Sequence, residues 1–250
     1  MSRCWLTGAS SGIGAALALR LLEQGHQVAL GGRHAARLEP LAERFPGQVL
    51  LAIGDLDAPQ QVAAICSQIE QAWGALDLVI LNAGTCEYLE PGRFDPVLVE
   101  RVVRTNLFAV SHCIQQALPL LHRGQRPHLV VMGSSVSWLA LQRAGAYGAS
   151  KAAVRYLVES LRIDLAAEGI DTTLVSPGFV DTPLTRRNDF PMPQLWSAER
   201  AAGHIINRLP QRPLEIAFPG LFTWVLRLLG ALPAGLRMRL GQRLARKAEG

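Results

Sequence analysis

The strongest constraint on the fold of this chain is an alternation that runs through most of its length. Short aliphatic or β-branched runs are each followed by longer stretches whose apolar residues recur at helical spacing. The short runs lie at 4–6, 27–30, 49–53, 78–81, 129–132, 171–175 and 214–218, and the amphipathic stretches include 13–24, 35–45, 59–73, 96–121 and 147–168. Apolar runs separated by helices need cover on both faces. The pattern therefore predicts an α/β fold, a doubly wound parallel sheet with helices on each side, built as a single domain. In such sheets ligands bind beyond the carboxyl ends of the strands. Residues that carry chemistry are expected just after the short runs.

Composition narrows the classes. With 250 residues, 49% hydrophobic and 18% charged, the chain can bury a sizeable core and is no candidate for long disorder. Its most apolar region, 221–236, is interrupted by Arg227 and Pro233 and falls short of the roughly 20 residues that a membrane-spanning helix needs. The first run begins so close to Met1 that no room is left for a signal peptide. Cys4, Cys66, Cys86 and Cys113 form no CxxC pair, so they are expected as reduced thiols in a cytoplasmic protein with no metal site. The net charge of +5 resides in the tail, where six basic residues from position 221 onward face one acid. A basic excess confined to an apolar tail suits weak contact with a membrane surface, or an acidic partner, better than a nucleic-acid groove. A solvated helix face accounts for it equally. Residues 221–250 are accordingly read as an apolar and basic helical extension of a domain spanning 1–220.

The first run leads into Thr7-Gly8-Ala9-Ser10-Ser11-Gly12-Ile13-Gly14. Its glycines permit a sharp turn and a close backbone approach, and the helix that follows offers positive partial charge at its N-terminus. A dinucleotide pyrophosphate is the natural occupant, with Gly8, Ser10, Ser11, Gly12, Ile13 and Gly14 around it. The second run ends in Gly31-Gly32-Arg33, where a binder of unphosphorylated ribose would usually carry an acid. Arg33 instead offers a planar charged fork suited to a 2′-phosphate, which points to NADP(H) over NAD(H). After the third run, Asp55 can accept a hydrogen bond from an adenine amine, with Leu56 beside it. After the fourth, Asn82-Ala83-Gly84 allows backbone to lie close to a cofactor.

Tyr147-Gly148-Ala149-Ser150-Lys151 opens a long helical stretch, so Tyr147 and Lys151 share a helix face. An ammonium beside a phenol is expected to lower its pKa, which suits the phenol to proton exchange in a carbonyl/alcohol interconversion. Ser134, thirteen residues before Tyr147 and just after the fifth run, can hydrogen-bond the same substrate oxygen. Ser135 and Ser137 compete for that role, and spacing favours Ser134.

From Thr7 to about Val180 the sequence resembles the short-chain dehydrogenase/reductase family, on the ordered motifs TGxxxGIG, NAG, Ser, YxxxK and PG. The resemblance implies a nicotinamide cofactor and a catalytic set of Asn106, Ser134, Tyr147 and Lys151. Asn106 would hold a water that links Lys151 to solvent, and Lys151 would also bind the nicotinamide ribose. Pro177, Gly178, Val180 and Thr182 resemble the loop that contacts the nicotinamide carboxamide, and 183–194 would then form a substrate lid. Resemblance also implies a homodimer built on the 96–121 and 147–168 helices. The tail departs from the usual family ending and is expected to pack beside the lid as two short helices broken at Pro233, leaving Arg237, Arg239 and Arg243 near solvent.

The function expected from these residues is NADP(H)-dependent carbonyl reduction or the reverse oxidation, with an apolar or lipid-like ketone or aldehyde as substrate. An alternative is a dehydrogenase of small hydroxy acids, gripping a carboxylate through Arg186 or Arg187. A non-catalytic dinucleotide sensor is the rival from another class, and it leaves the proton-transfer residues without a purpose.

Overall fold

The seven aliphatic runs form one parallel sheet: β1 (Arg3–Leu6), β2 (Gln27–Gly32), β3 (Val49–Ile53), β4 (Leu78–Leu81), β5 (His128–Met132), β6 (Asp171–Pro177) and, last in the chain, β9 (Glu215–Phe218). Two short strands, β7 (Val180–Asp181) and β8 (Trp196–Ser197), pair with each other apart from it. The spatial order β3-β2-β1-β4-β5-β6-β9 places the reversal of direction between β1 and β4, where a ligand cleft is expected. The computed structural model describes residues 1–90 and 92–244, so the charges of Arg246, Lys247 and Glu249 lie outside the described residues.

Alternate side chains of the strands feed two cores, one on each face. Cys4, Leu6, Leu30, Ile80 and Met132 pack with Leu17 and Leu21 of α1 (Gly12–Glu23) and Ile205 of α7 (Ala198–Arg208). Trp5, Val79, Leu81 and Val131 pack on the other face against α3 (Pro59–Trp73), α5 (Ala109–His122) and α6 (Gly145–Ala166). The short α2 (Glu39–Arg44) starts late, with Pro40 in its first turn after a 3-10 turn at Ala35–Arg37, so the expected helix 35–45 is divided.

The expected helix 96–121 is also interrupted. It runs as α4 (Pro96–Val103), a π-helical segment Arg104–Phe108, and then α5. Asp95 starts α4 by accepting the N–H groups of Val97 at 2.9 Å and Leu98 at 3.2 Å. The π segment turns Asn106 fully inward, and insertions of this kind commonly mark functional positions. Beyond β9 the tail forms α8 (Gly220–Gly230) and α9 (Ala234–Leu244), with the break at Pro233 that the sequence predicts. No described helix is long and apolar enough to cross a membrane.

Candidate active site

The strands end level with one another: Leu6 pairs with Leu30 and Ile80, Leu81 with Val131, and Met132 with Val175. The loops after β1, β4, β5 and β6 therefore converge on one end of the sheet. Gly8 and Gly12 adopt left-handed backbone, with φ of 67° and 53°. A Cβ on Gly14 would fall 2.0 Å from the Gly8 carbonyl oxygen, so the turn closes only with glycine there. The Thr7 hydroxyl accepts the N–H groups of Asn82 at 3.0 Å and Ala83 at 3.1 Å, and the Asn82 amide donates to Thr7 O and Gly8 O, both at 3.2 Å. Asn82 is thus a brace for the glycine turn.

The cradle fits a dinucleotide by its own construction. Ser11 precedes α1 in extended backbone and its side chain makes no capping hydrogen bond, which leaves the first N–H groups of the helix for a ligand. Ser10 lies on the β2 side of the turn, where a Cβ on Gly32 would sit 3.9 Å from its own. Arg33 follows directly, exposed and without an ion pair among the described residues. Asp55 is exposed, and its Oδ1 accepts the Asp57 N–H at 3.1 Å. Leu56 is half-buried next to it. Across the cleft, Thr182 closes on the turn so tightly that a Cβ on Gly12 would lie 2.9 Å from its methyl.

Ser134, Tyr147 and Lys151 come together beyond β5. Ser134 is hydrogen-bonded to the Tyr147 hydroxyl, and its Oγ also accepts the Val136 N–H at 3.2 Å. Ser135 is buried, while the Ser137 hydroxyl donates to the Ser134 carbonyl at 2.8 Å. Lys151, 4% exposed, donates from Nζ to the Met132 carbonyl at 2.8 Å. Burial pushes its ammonium down to about 8, against a smaller raising influence from Cys86. The expected lowering of Tyr147 is corrected. Its phenol is pushed up, first by burial and then by Cys86, with the Ser134 hydrogen bond acting the other way. In this environment the loss of hydration around the phenolate outweighs the hydrogen bond from Ser134.

Asn106 is fully buried within the π segment. Its Oδ1 accepts the Thr85 N–H at 2.8 Å, and its Nδ2 donates to Thr85 O and to Ser150 Oγ, both at 2.9 Å. Both amide protons are taken, so the side chain braces the β4 loop against α6, and a water relay would have to use its main-chain carbonyl. Gly84 leaves the gap between these elements: a Cβ there would meet Asn106 Oδ1 at 3.0 Å and Lys151 Nζ at 3.6 Å.

A family model described as short chain dehydrogenase matches residues 3–191. The chain belongs to the short-chain dehydrogenase family. It is 32% identical over 242 residues to an uncharacterized oxidoreductase of Myxococcus xanthus, covering 96% of each chain. Another uncharacterized oxidoreductase, from Mycobacterium tuberculosis, is 30% identical and covers 94% of this chain and 95% of its own. Among solved structures, a short-chain dehydrogenase from Streptomyces avermitilis superposes with a TM-score of 0.84 over 96% of both chains at 21% identity. The Pseudomonas aeruginosa RhlG/NADP active-site complex superposes with a TM-score of 0.80 at 27% identity, covering 89% of this chain and 96% of that one.

Around this short-chain dehydrogenase centre the structure adds a wall that sequence reasoning missed. Tyr88 and Phe179 both pack on Phe190 of the 183–194 segment, with ring centroids 5.6 and 6.0 Å apart, and Phe179 also meets Phe222 of α8 at 5.5 Å. Arg143 ties this wall to the segment through ion pairs of 2.9 Å to both Glu90 and Asp189. Thr185 bonds the Val180 carbonyl at 2.5 Å, and Arg186 pairs with Asp181 at 2.7 Å. Pro177 ends β6, and Gly178 then donates to the Phe218 carbonyl at 2.6 Å, so close to α8 that a Cβ would strike Phe222 at 2.8 Å. Through Phe222, α8 therefore packs on Phe179 and Gly178, next to Phe190 of the 183–194 segment. Arg239 and Arg243 are exposed, but Arg237 is half-buried and donates to the Gly230 carbonyl at 2.8 Å, which satisfies an otherwise open helix end.

Proposed function

We propose that this protein is an NADP(H)-dependent oxidoreductase that reduces an apolar ketone or aldehyde to the alcohol. The observation that carries the reading is the convergence of Ser134, Tyr147 and Lys151 beside a glycine turn that leaves the first N–H groups of α1 open to a ligand. The nicotinamide, when bound, supplies the hydride. Ser134 then orients the carbonyl oxygen and Tyr147 gives it a proton. A phenol held protonated by burial is the form that reduction needs, since it must donate to the alkoxide that develops. Lys151 steadies the phenolate left behind and holds the nicotinamide ribose. Gly8, Ser10, Ser11, Gly12, Ile13 and Gly14 would hold the pyrophosphate, Arg33 the 2′-phosphate, Asp55 and Leu56 the adenine, and Pro177, Gly178, Val180 and Thr182 the carboxamide. The NADP in the Pseudomonas aeruginosa neighbour supports the choice of cofactor.

The apolar substrate class follows from the aromatic wall of Tyr88, Phe179, Phe190 and Phe222. For a hydroxy-acid substrate Arg186 is already paired with Asp181, which leaves the exposed Arg187 to grip the carboxylate. We also propose two partners: a second copy of the chain on the outer face of α6, and an anionic lipid surface at the tail. The test of the central reading is loss of NADPH absorbance with a panel of aliphatic and aromatic carbonyls. Tyr147→Phe is expected to lower turnover by roughly 10²–10⁴-fold while NADPH still binds. Near-normal turnover by that variant would end the reading.

A further inference from the structure

Ser134 can orient a carbonyl oxygen only if the turn that carries it is held at a set distance from α6. That turn, Ser135–Ser137, is closed on Ser134 by the Val136 N–H, which donates to its Oγ at 3.2 Å, and by Ser137, whose N–H and Oγ donate to its carbonyl at 3.2 and 2.8 Å. The same Ser137 hydroxyl accepts Nε of Arg155 at 2.9 Å. Arg155 lies one helical turn beyond Lys151 and two beyond Tyr147, on the same side of α6. We propose that Arg155 is a positioning residue for Ser134, acting through Ser137, and that β9 and α8 hold it in place through Glu215 and Arg227. The proposal rests on the reading of Ser134 and Tyr147 as the groups that handle the substrate oxygen.

The guanidinium is engaged in three directions. Besides Ser137, its NH1 donates to Glu159 at 2.8 Å, and its NH2 contacts Glu215 and, at 3.1 Å, Ser176 Oγ. Its plane carbon lies 5.1 Å from the centre of the Trp138 ring, in the residue that ends the serine turn. Arg227 lies over that ring too, at 4.5 Å, and donates to the second oxygen of Glu215 at 2.6 Å. Two like charges share one indole, and the Glu215 carboxylate between them, with its side chain only 17% exposed, makes the arrangement stable. The Arg155–Glu159 pair, one helical turn apart, would not by itself require this geometry. The link to Ser137 and the stack on Trp138 fasten the serine turn to the helix that presents Tyr147.

The fork geometry matters because lysine cannot reach Ser137, Glu159 and Glu215 at once. A displacement of Ser134 on the order of an ångström is expected to cost about 10–100-fold in kcat. The test is a double-mutant cycle with a carbonyl that the wild-type protein turns over. Arg155→Ala should lower kcat by that factor, leave the NADPH dissociation constant within about twofold, and add less than about threefold to the loss caused by Ser134→Ala. Arg155→Lys should fall between Arg155→Ala and wild type. Ser137→Ala, which removes only the linking hydroxyl, should lower kcat in the same direction with an unchanged Tm, so the proposal stays testable if Arg155→Ala folds poorly. Undiminished kcat in Ser137→Ala, or an Arg155→Ala loss that persists in full on the Ser134→Ala background, would overturn the positioning role and leave the carbonyl-reductase reading standing. Undiminished kcat in Ser134→Ala would instead overturn that reading, and the positioning role with it.

Discussion

At the scale of single residues, two side chains give the sharpest expectations. Arg33 follows β2, exposed and with no ion pair among the described residues, so its charge is available to a ligand, and a 2′-phosphate is the group that distinguishes one nicotinamide cofactor from the other. Arg33→Ala is expected to raise the Kd for NADPH by roughly 10-fold or more and leave NADH almost unchanged, a charge-assisted contact being worth about 1.5–3 kcal/mol. Equal losses in a titration with both cofactors would reject the assignment. Lys151 sets a pH limit. Its ammonium, brought down to about 8 by burial, is lost as pH rises through that value, and with it the group that steadies the phenolate. The kcat/KM of carbonyl reduction, which reports the free enzyme, should therefore fall with a midpoint near pH 8. A profile flat to about pH 9.5 would show that the charge of Lys151 is not needed, one and a half units being ample to titrate it.

At the scale of elements, α8 belongs to the site as much as to the tail. Phe222 covers Phe179 and Gly178, Thr223 and Leu226 are buried, and Arg227 completes the shell of Glu215. Ending the chain after residue 220 uncovers these groups, at a cost of roughly 3–5 kcal/mol from the lost apolar cover. In calorimetry this should lower Tm by roughly 10 °C, and turnover of every carbonyl should drop while NADPH binding, built from residues up to Thr182, persists. Ending it after residue 232 removes only α9 and should leave Tm and turnover near wild type. A protein ending at 220 with normal turnover would show that α8 has no part in the site. The strands, the glycine turn and the Tyr147–Lys151 pair were legible because each depends on a local signal, a short aliphatic run, period 3.6 or a short motif. Asn106 was legible only by resemblance, since nothing in Thr105-Asn106-Leu107 announces a π insertion. The faces of α8 were not legible: it is apolar all round, so periodicity cannot say that Leu226 turns inward and Leu228 outward. The contact of Arg155 with Glu215 spans 60 residues, and only the packing of β9 beside β6 brings them together.

At the scale of the whole molecule, two exposed apolar stripes among the described residues bear on the partners proposed above. On α6, Tyr156 and Ile163 are 78% and 77% exposed and lie two turns apart on one stripe. A flat apolar stripe of this kind suits a second copy of the same face, which a twofold axis would pair with itself. On the tail, Leu221, Trp224 and Leu228 are exposed on α8, and α9 adds the exposed Arg239 and Arg243. Exposed apolar side chains and arginines carried on one tail suit the headgroup layer of anionic lipid, where each basic residue near the surface contributes about 1 kcal/mol. The two assignments separate in one crossed experiment. Ile163→Glu should sediment as a monomer yet still float with phosphatidylserine vesicles, and Trp224→Glu should remain dimeric yet lose the vesicles. Vesicle binding should also weaken as salt rises from about 50 to 200 mM, because screening shortens the reach of the arginines. A Trp224→Glu protein that turns monomeric would instead give the tail to the subunit interface, and wild-type protein that ignores anionic vesicles at low salt would remove the lipid assignment.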